Sequence, residues 1–148
     1  MVYIAADHGG FTKKQLLVAW LRRSGQPVID LGPARLTPTD DYPIWAARLA
    51  RTIQQDRHAV GVVVCRSGVG MALVANKFEG VRAVQGWSSR VAQRSRRDEK
   101  TNVLSLASDF QSITEMKRIV RLWLKQPYRP IARYQRRLRE ISRIEHAR

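Results

Sequence analysis

The stretch Gly61-Val62-Val63-Val64-Cys65-Arg66-Ser67-Gly68-Val69-Gly70-Met71 decides how the chain folds. Its first half is continuously apolar, as a strand is when helices cover both faces of a parallel sheet. The glycines that follow permit close backbone approach and positive φ. A helix is expected to start at once, near 70–77, so that its unpaired N–H groups and its dipole face the turn. Open sheets built from such strand–turn–helix units bind ligands beyond the carboxyl ends of their strands.

The alternation runs outward in both directions. Toward the N-terminus, Val2–Ala6 reads as a buried strand, and after Gly9-Gly10 a helix near 11–24 carries Leu16, Leu17, Trp20 and Leu21 at helical spacing. Gly25 stops it. Val28–Leu31 is the next strand, Gly32–Asp41 with Pro33 and Pro38 is a loop, and Tyr42–Asp56 is a helix. Toward the C-terminus come a strand at Val81–Val84, a helix near 88–97, a fifth strand at Asn102–Leu106, and a helix at Ile113–Leu124 ended by Pro127 and Pro130. This order predicts a single α/β domain over 1–148, a three-layer sandwich around a parallel sheet. A very basic helix at Ala132–His146, the core of an arm at about 131–147, lies outside the alternation. Its apolar stripe of Tyr134, Leu138, Ile141 and Ile144 is expected to pack on a partner subunit.

The 148 residues suit one domain, and 44% apolar content supplies a core. No stretch approaches the roughly 18 to 20 uninterrupted apolar residues of a membrane span. The Val2–Ala6 run behind Met1 is too short for the apolar region of a signal peptide. A lone cysteine forms no internal disulfide, so a reducing cytoplasm is the expected location, and Cys65 is either inert packing or chemistry. The net charge of +15, from 27 basic and 12 acidic side chains, implies attraction to phosphorylated small molecules or to polyanions, nucleic acid being the less favoured partner. Residues 113–148 hold eleven Lys or Arg against three Glu, and Arg90, Arg94, Arg96, Arg97 and Lys100 form a second cluster.

Three groups of residues carry candidate chemistry. In the Cys65 turn the helix dipole and Arg66 are expected to lower the thiol pKa. A thiolate beside an oxyanion site serves as a general base; the plain alternative is a small buried cysteine ending a strand. Asp7-His8 ends the first strand, where acid and imidazole suit proton transfer or hydroxyl binding. Its alternative is a helix cap by Asp7 with an exposed His. Arg133 and Arg137, spaced i,i+4, share a helix face and suit a phosphate clamp, or else form a solvated basic face.

Together these segments resemble the type B ribose-5-phosphate isomerase and galactose-6-phosphate isomerase family. The likeness rests on Ala6-Asp7-His8-Gly9-Gly10-Phe11, on Asp41-Tyr42-Pro43, and on Cys65–Met71 continuing into Ala75-Asn76-Lys77-Phe78 and Gly80-Val81-Arg82-Ala83-Val84. Thr101-Asn102-Val103-Leu104 and Arg133-Tyr134-Gln135-Arg136-Arg137 complete it, so that it covers nearly the whole chain. The resemblance implies a Rossmann-like, five-stranded parallel sheet and a homodimer or dimer of dimers with sites shared between subunits. It also implies an intramolecular oxidoreductase of the pentose phosphate pathway, interconverting a ribose 5-phosphate and ribulose 5-phosphate type of pair through an enediol, with no metal or organic cofactor. By position, Cys65 is then the base, Ser67 stands for a family threonine that assists proton handling, and the amides of 66–70, among them Gly68, Val69 and Gly70, hold the enediolate oxygen. Asp7 binds sugar hydroxyls or helps open the ring. His8, Arg133 and Arg137 sit around the phosphate, and Asn102 counts with the substrate-binding groups.

The chain departs from the family pattern at several of these places. Asp98-Glu99 occupies the positions of a His-Asn pair whose histidine is assigned to ring opening, which leaves Asp98 as the candidate proton carrier. Arg66 replaces the first glycine after the cysteine. Asp109 stands where an arginine contacts phosphate, with Arg66 expected to supply the lost charge, and Tyr134 stands in place of a histidine. These changes admit three variants of the isomerase reading: a different substrate such as a tetrose or hexose phosphate, one subunit of a heteromer with a paralogue, or a non-catalytic homologue that binds a polyanion.

Overall fold

The computed structural model describes residues 1–56 and 58–147. Five strands, β1 (Val2–Ala6), β2 (Val28–Asp30), β3 (Val60–Cys65), β4 (Ala83–Gln85) and β5 (Val103–Ala107), form one parallel sheet in the order β2-β1-β3-β5-β4. Six helices join and flank them: α1 (Phe11–Arg23), α2 (Tyr42–Gln55), α3 (Val69–Ala75), α4 (Ser89–Glu99), α5 (Ile113–Lys125) and α6 (Ala132–His146). Side chains alternate along each strand, so the sheet divides the core in two. Val2, Ile4, Val62, Val64, Leu104 and Leu106 face α1, α4 and α5, whereas Ala5, Val63, Cys65 and Val103 face α2 and α3. Every residue of β3 is buried, as its unbroken apolar run requires. The expected three-layer, Rossmann-like sheet is therefore present.

The strand order places the topological switch between β1 and β3, because the chain leaves β1 for β2 and then crosses back. Ala6 pairs with Val64 and Cys65 with Ala107, so the carboxyl ends of β1, β3 and β5 finish side by side. Glycine is needed where the first turn meets β3. A Cβ on Gly10 would lie 2.1 Å from the Val64 carbonyl oxygen, which no side chain survives without displacing the backbone.

Most elements differ from their expected bounds by a residue or two, α4 ending at Glu99 and β5 running from Val103 to Ala107, and two of the shifts have a visible cause. β4 begins at Ala83 rather than Val81, since the Val81 N–H bonds back to Phe78 and the Arg82 N–H is taken by the Asn102 side chain at 2.7 Å. α3 ends at Ala75, where Asn76 turns its side chain to bracket Ala83 instead of extending the helix. The basic helix α6 packs through the buried Tyr134 against α4. Leu138 is half-buried, and Ile141 and Ile144 are exposed.

Candidate active site

The Cys65 turn is held from three strands. Its thiol is 5% exposed, and the Gly68 N–H donates to Sγ at 3.2 Å. Gly68 sits at φ 74 with Leu106 backbone at its back, and its carbonyl accepts from the buried Ser105 hydroxyl at 2.6 Å. Ser67 accepts the Val69 N–H on its hydroxyl at 3.2 Å and Gln85 Nε2 on its carbonyl at 2.9 Å. On the other side, Ser108 and Asp109 donate their N–H groups to the Cys65 and Arg66 carbonyls. Backbone amides thus converge on the sulfur, as an oxyanion-binding turn requires.

The expected lowering of the thiol pKa does not occur. Burial pushes the Cys65 thiol above its ordinary value, the Met71 and Gly68 amides only partly offset this, and the Asp7 charge adds to it. The Arg66 guanidinium does not help, because it turns outward and lies 3.7 Å from the Asp109 carboxylate, both largely exposed. Asp109 therefore faces Arg66, and the two charges offset one another.

Asp7 and His8 reach the same crevice from β1. Asp7 is buried, and its carboxylate accepts the Gly10 N–H at 3.0 Å; burial raises its pKa despite that bond. The cap-and-exposed-histidine alternative does not describe His8. The ring Nδ1 lies 2.9 Å from Asp40 Oδ1 and 3.2 Å from the Asp40 carbonyl oxygen. Both are acceptors, so Nδ1 carries the proton and Nε2 is left for other partners. The Asp40 bond raises the His8 pKa. Burial alone would raise the Asp40 carboxyl, but hydrogen bonds from the His8 amide and ring and from Trp45 Nε1, the last at 2.7 Å, bring it below the usual range.

Asp40, Trp45, Gln85 and Ser105 were not among the expected site residues. Asp40 sits in an aperiodic loop, 32 positions from the histidine it orients. Only the adjacent acid pair Asp40-Asp41 ahead of a helix marks it in the sequence.

The remaining candidates lie elsewhere. Asp98, Arg133 and Arg137 line a cleft of about 470 Å³ with Arg94 and Tyr134, on the outer side of the α4 layer. Asp98 ends α4 at the amino edge of the sheet, whereas Cys65 ends β3 at the carboxyl edge and faces the α2–α3 layer. The register from Gly61–Val103 to Cys65–Ala107 separates those edges by about 13 Å along the strands. Asp98 is also unsuited to carry a proton. Arg97 Nε at 2.6 Å and Arg94 Nε at 3.3 Å grip its buried carboxylate, and Arg97 first, with Tyr134 and Arg94, holds its pKa below the ordinary value. Asn102 is occupied structurally, binding the Arg82 N–H and the Gly80 carbonyl. Arg133 and Arg137 do share one helix face, Arg133 resting 5.2 Å from the Tyr134 ring. Among the described residues no three His, Cys, Asp or Glu side chains come together to hold a metal ion, and no helix is long and apolar enough to cross a membrane.

A parallel sheet with a buried thiol, a ring of amides and an acid–imidazole pair at its switch point defines an α/β protein built for proton transfer on a small polar ligand. More narrowly, the chain belongs to the Ribose/Galactose Isomerase family, whose family model matches residues 2–141. It is 37% identical over 144 residues to a probable ribose-5-phosphate isomerase B of Mycoplasma pneumoniae, covering 97% of this chain and 94% of that one. To ribose-5-phosphate isomerase B of Escherichia coli it is 37% identical over 147 residues, covering 99% and 97%. The crystal structure of ribose-5-phosphate isomerase B from Mycoplasma genitalium with bound ribulose-5-phosphate superposes with a TM-score of 0.94 at 34% identity, covering 99% of this chain and 97% of that one.

Proposed function

We propose that the chain is an aldose–ketose isomerase of the ribose 5-phosphate and ribulose 5-phosphate type, with Cys65 as its base. The observation that carries this is the Cys65 sulfur, set among converging backbone amides at the switch point beside Asp7 and His8. Starting from the aldose, the thiolate takes the proton from C2, and the electrons move to the C1 oxygen. The turn's N–H groups stabilise that enediolate oxygen, Ser67 assists proton movement between the two oxygens, and the thiol, once its hydrogen has exchanged with solvent, protonates C1. Asp7, whose raised pKa keeps a proton available at higher pH than an ordinary carboxyl, meets the sugar hydroxyls. His8, held by Asp40, meets the phosphate.

Arg133 and Arg137 do not reach Cys65 within the chain, so the phosphate clamp is completed by a second copy in a homodimer. Exposed Ile44, Val69 and Leu73 on the adjoining α2 and α3, next to the Cys65 turn, supply apolar surface for that contact. Conversion of ribose 5-phosphate by the purified chain, abolished in Cys65→Ala, tests the reading; an inert wild-type protein counts against it. The grip of two arginines on Asp98 favours a second reading, in which the preferred substrate needs no ring opening. A tetrose 4-phosphate cannot close to a furanose, and a panel of phosphorylated aldoses separates the two.

A further inference from the structure

The end of the sheet away from Cys65 holds a second concentration of chemistry that isomerisation does not use. A cavity of about 1110 Å³ opens there beneath the amino ends of the strands, bounded by the last turns of α4, α5 and α6. Besides Lys125, three cations line it. Arg82 and Arg96 are half-buried, and Lys100, at φ 50, sets its ammonium 5.6 Å from the Tyr128 ring. Arg82 donates to the Lys100 carbonyl at 3.2 Å, while Arg96 donates to the Thr101 carbonyl and lies 5.1 Å from the Trp123 ring. Among the described residues none of the three cations is in an ion pair.

The acids lining the same cavity have other partners. Glu145 accepts the Gly80 N–H, and Glu79 pairs with His146 at 2.9 Å. Glu145 does favour the Arg82 charge, yet burial outweighs it, and burial together with Arg82 lowers Arg96. The Tyr128 hydroxyl, on the same wall, is buried without a hydrogen-bond partner. Two half-buried guanidinium groups with no carboxylate in direct contact, beside an exposed ammonium and an unused hydroxyl donor, are ready to be joined by an anion. Guanidinium forks match phosphate oxygens in particular.

We propose that this cavity is a second anion site, taking a compact phosphate-type oxyanion between Arg82, Arg96, Lys100 and the Tyr128 hydroxyl. It is separate from the sugar site, since Cys65 lies at the opposite edge of the sheet and Arg133 and Arg137 line a different cleft. Titration calorimetry of the intact chain with pyrophosphate, at low ionic strength and with ribose 5-phosphate saturating, tests it. Saturable binding at one site per chain is expected. Lys100→Glu weakens it at least about tenfold, and Tyr128→Phe weakens it several-fold. Arg82 and Arg96 are left intact because they also brace the backbone, and Lys100→Gln, which adds no repulsion, must weaken binding as well. Absence of saturable binding, displacement by ribose 5-phosphate, or affinity unchanged in both lysine variants overturns the proposal.

Discussion

At the scale of single residues, the thiol governs how the site responds to pH. Burial and the Asp7 charge hold Cys65 protonated at neutral pH, so the reactive thiolate fraction grows toward alkaline pH. The rate of alkylation by iodoacetamide should climb through a midpoint above that of a free cysteine, and Asp7→Asn should move the midpoint down. A midpoint unchanged by that substitution removes Asp7 from the account. Asp40 acts through His8. Asp40→Asn should let the His8 pKa, followed by NMR, fall toward ~6.5, and should raise KM for a phosphorylated sugar about three- to tenfold with kcat little changed. An unaltered His8 titration contradicts the pairing. The sequence showed Cys65 and Asp7-His8 because strand ends and glycines are local features. It could not show Asp40 or Ser105, whose partners lie 32 and 37 positions away. It also misjudged the thiol, since a dipole is visible in a pattern of residues while the depth of burial is not.

At the scale of elements, the alternation of strand and helix was legible throughout, because buried parallel strands are unbroken apolar runs. The misplaced ends of β4 and α3 trace to Asn76 and Asn102, whose side chains replace backbone pairing with contacts no periodicity reveals. The β1–α1 turn is the tightest joint. Gly10→Ala drives a Cβ into the Val64 carbonyl and should cost about 3 kcal/mol in denaturant unfolding, lowering the midpoint with little change in slope. The end of α4 depends on charge instead. The folded pKa of Asp98 lies below its unfolded value near ~3.9, so its pairing with Arg97 and Arg94 stabilises the fold at neutral pH and is lost as pH falls through the folded pKa. Asp98→Asn should therefore lower the melting temperature at pH 7, with the gap closing in acid. A gap independent of pH excludes that role.

At the scale of the whole molecule, the sheet separates the proposed base from the proposed clamp. Cys65 ends β3 on the α2–α3 side, while Arg133 and Arg137 lie beyond α4, so in the proposed homodimer each chain gives its two halves to different sites. In sequence this separation is invisible, since both halves read equally as ligand-binding segments. Two copies assembled head to partner clamp predict complementation: Cys65→Ala and Arg137→Ala subunits, each inactive alone, should recover about a quarter of wild-type activity when mixed equally, from one intact site per mixed dimer. The proposed role of Cys65 as base can be read from isomerisation in deuterium oxide. The wild-type protein should convert ribose 5-phosphate to ribulose 5-phosphate carrying solvent deuterium at C1, and Cys65→Ser should slow this about 10²- to 10⁴-fold while remaining folded. A Cys65→Ser protein that exchanges at the wild-type rate contradicts the assignment of the base.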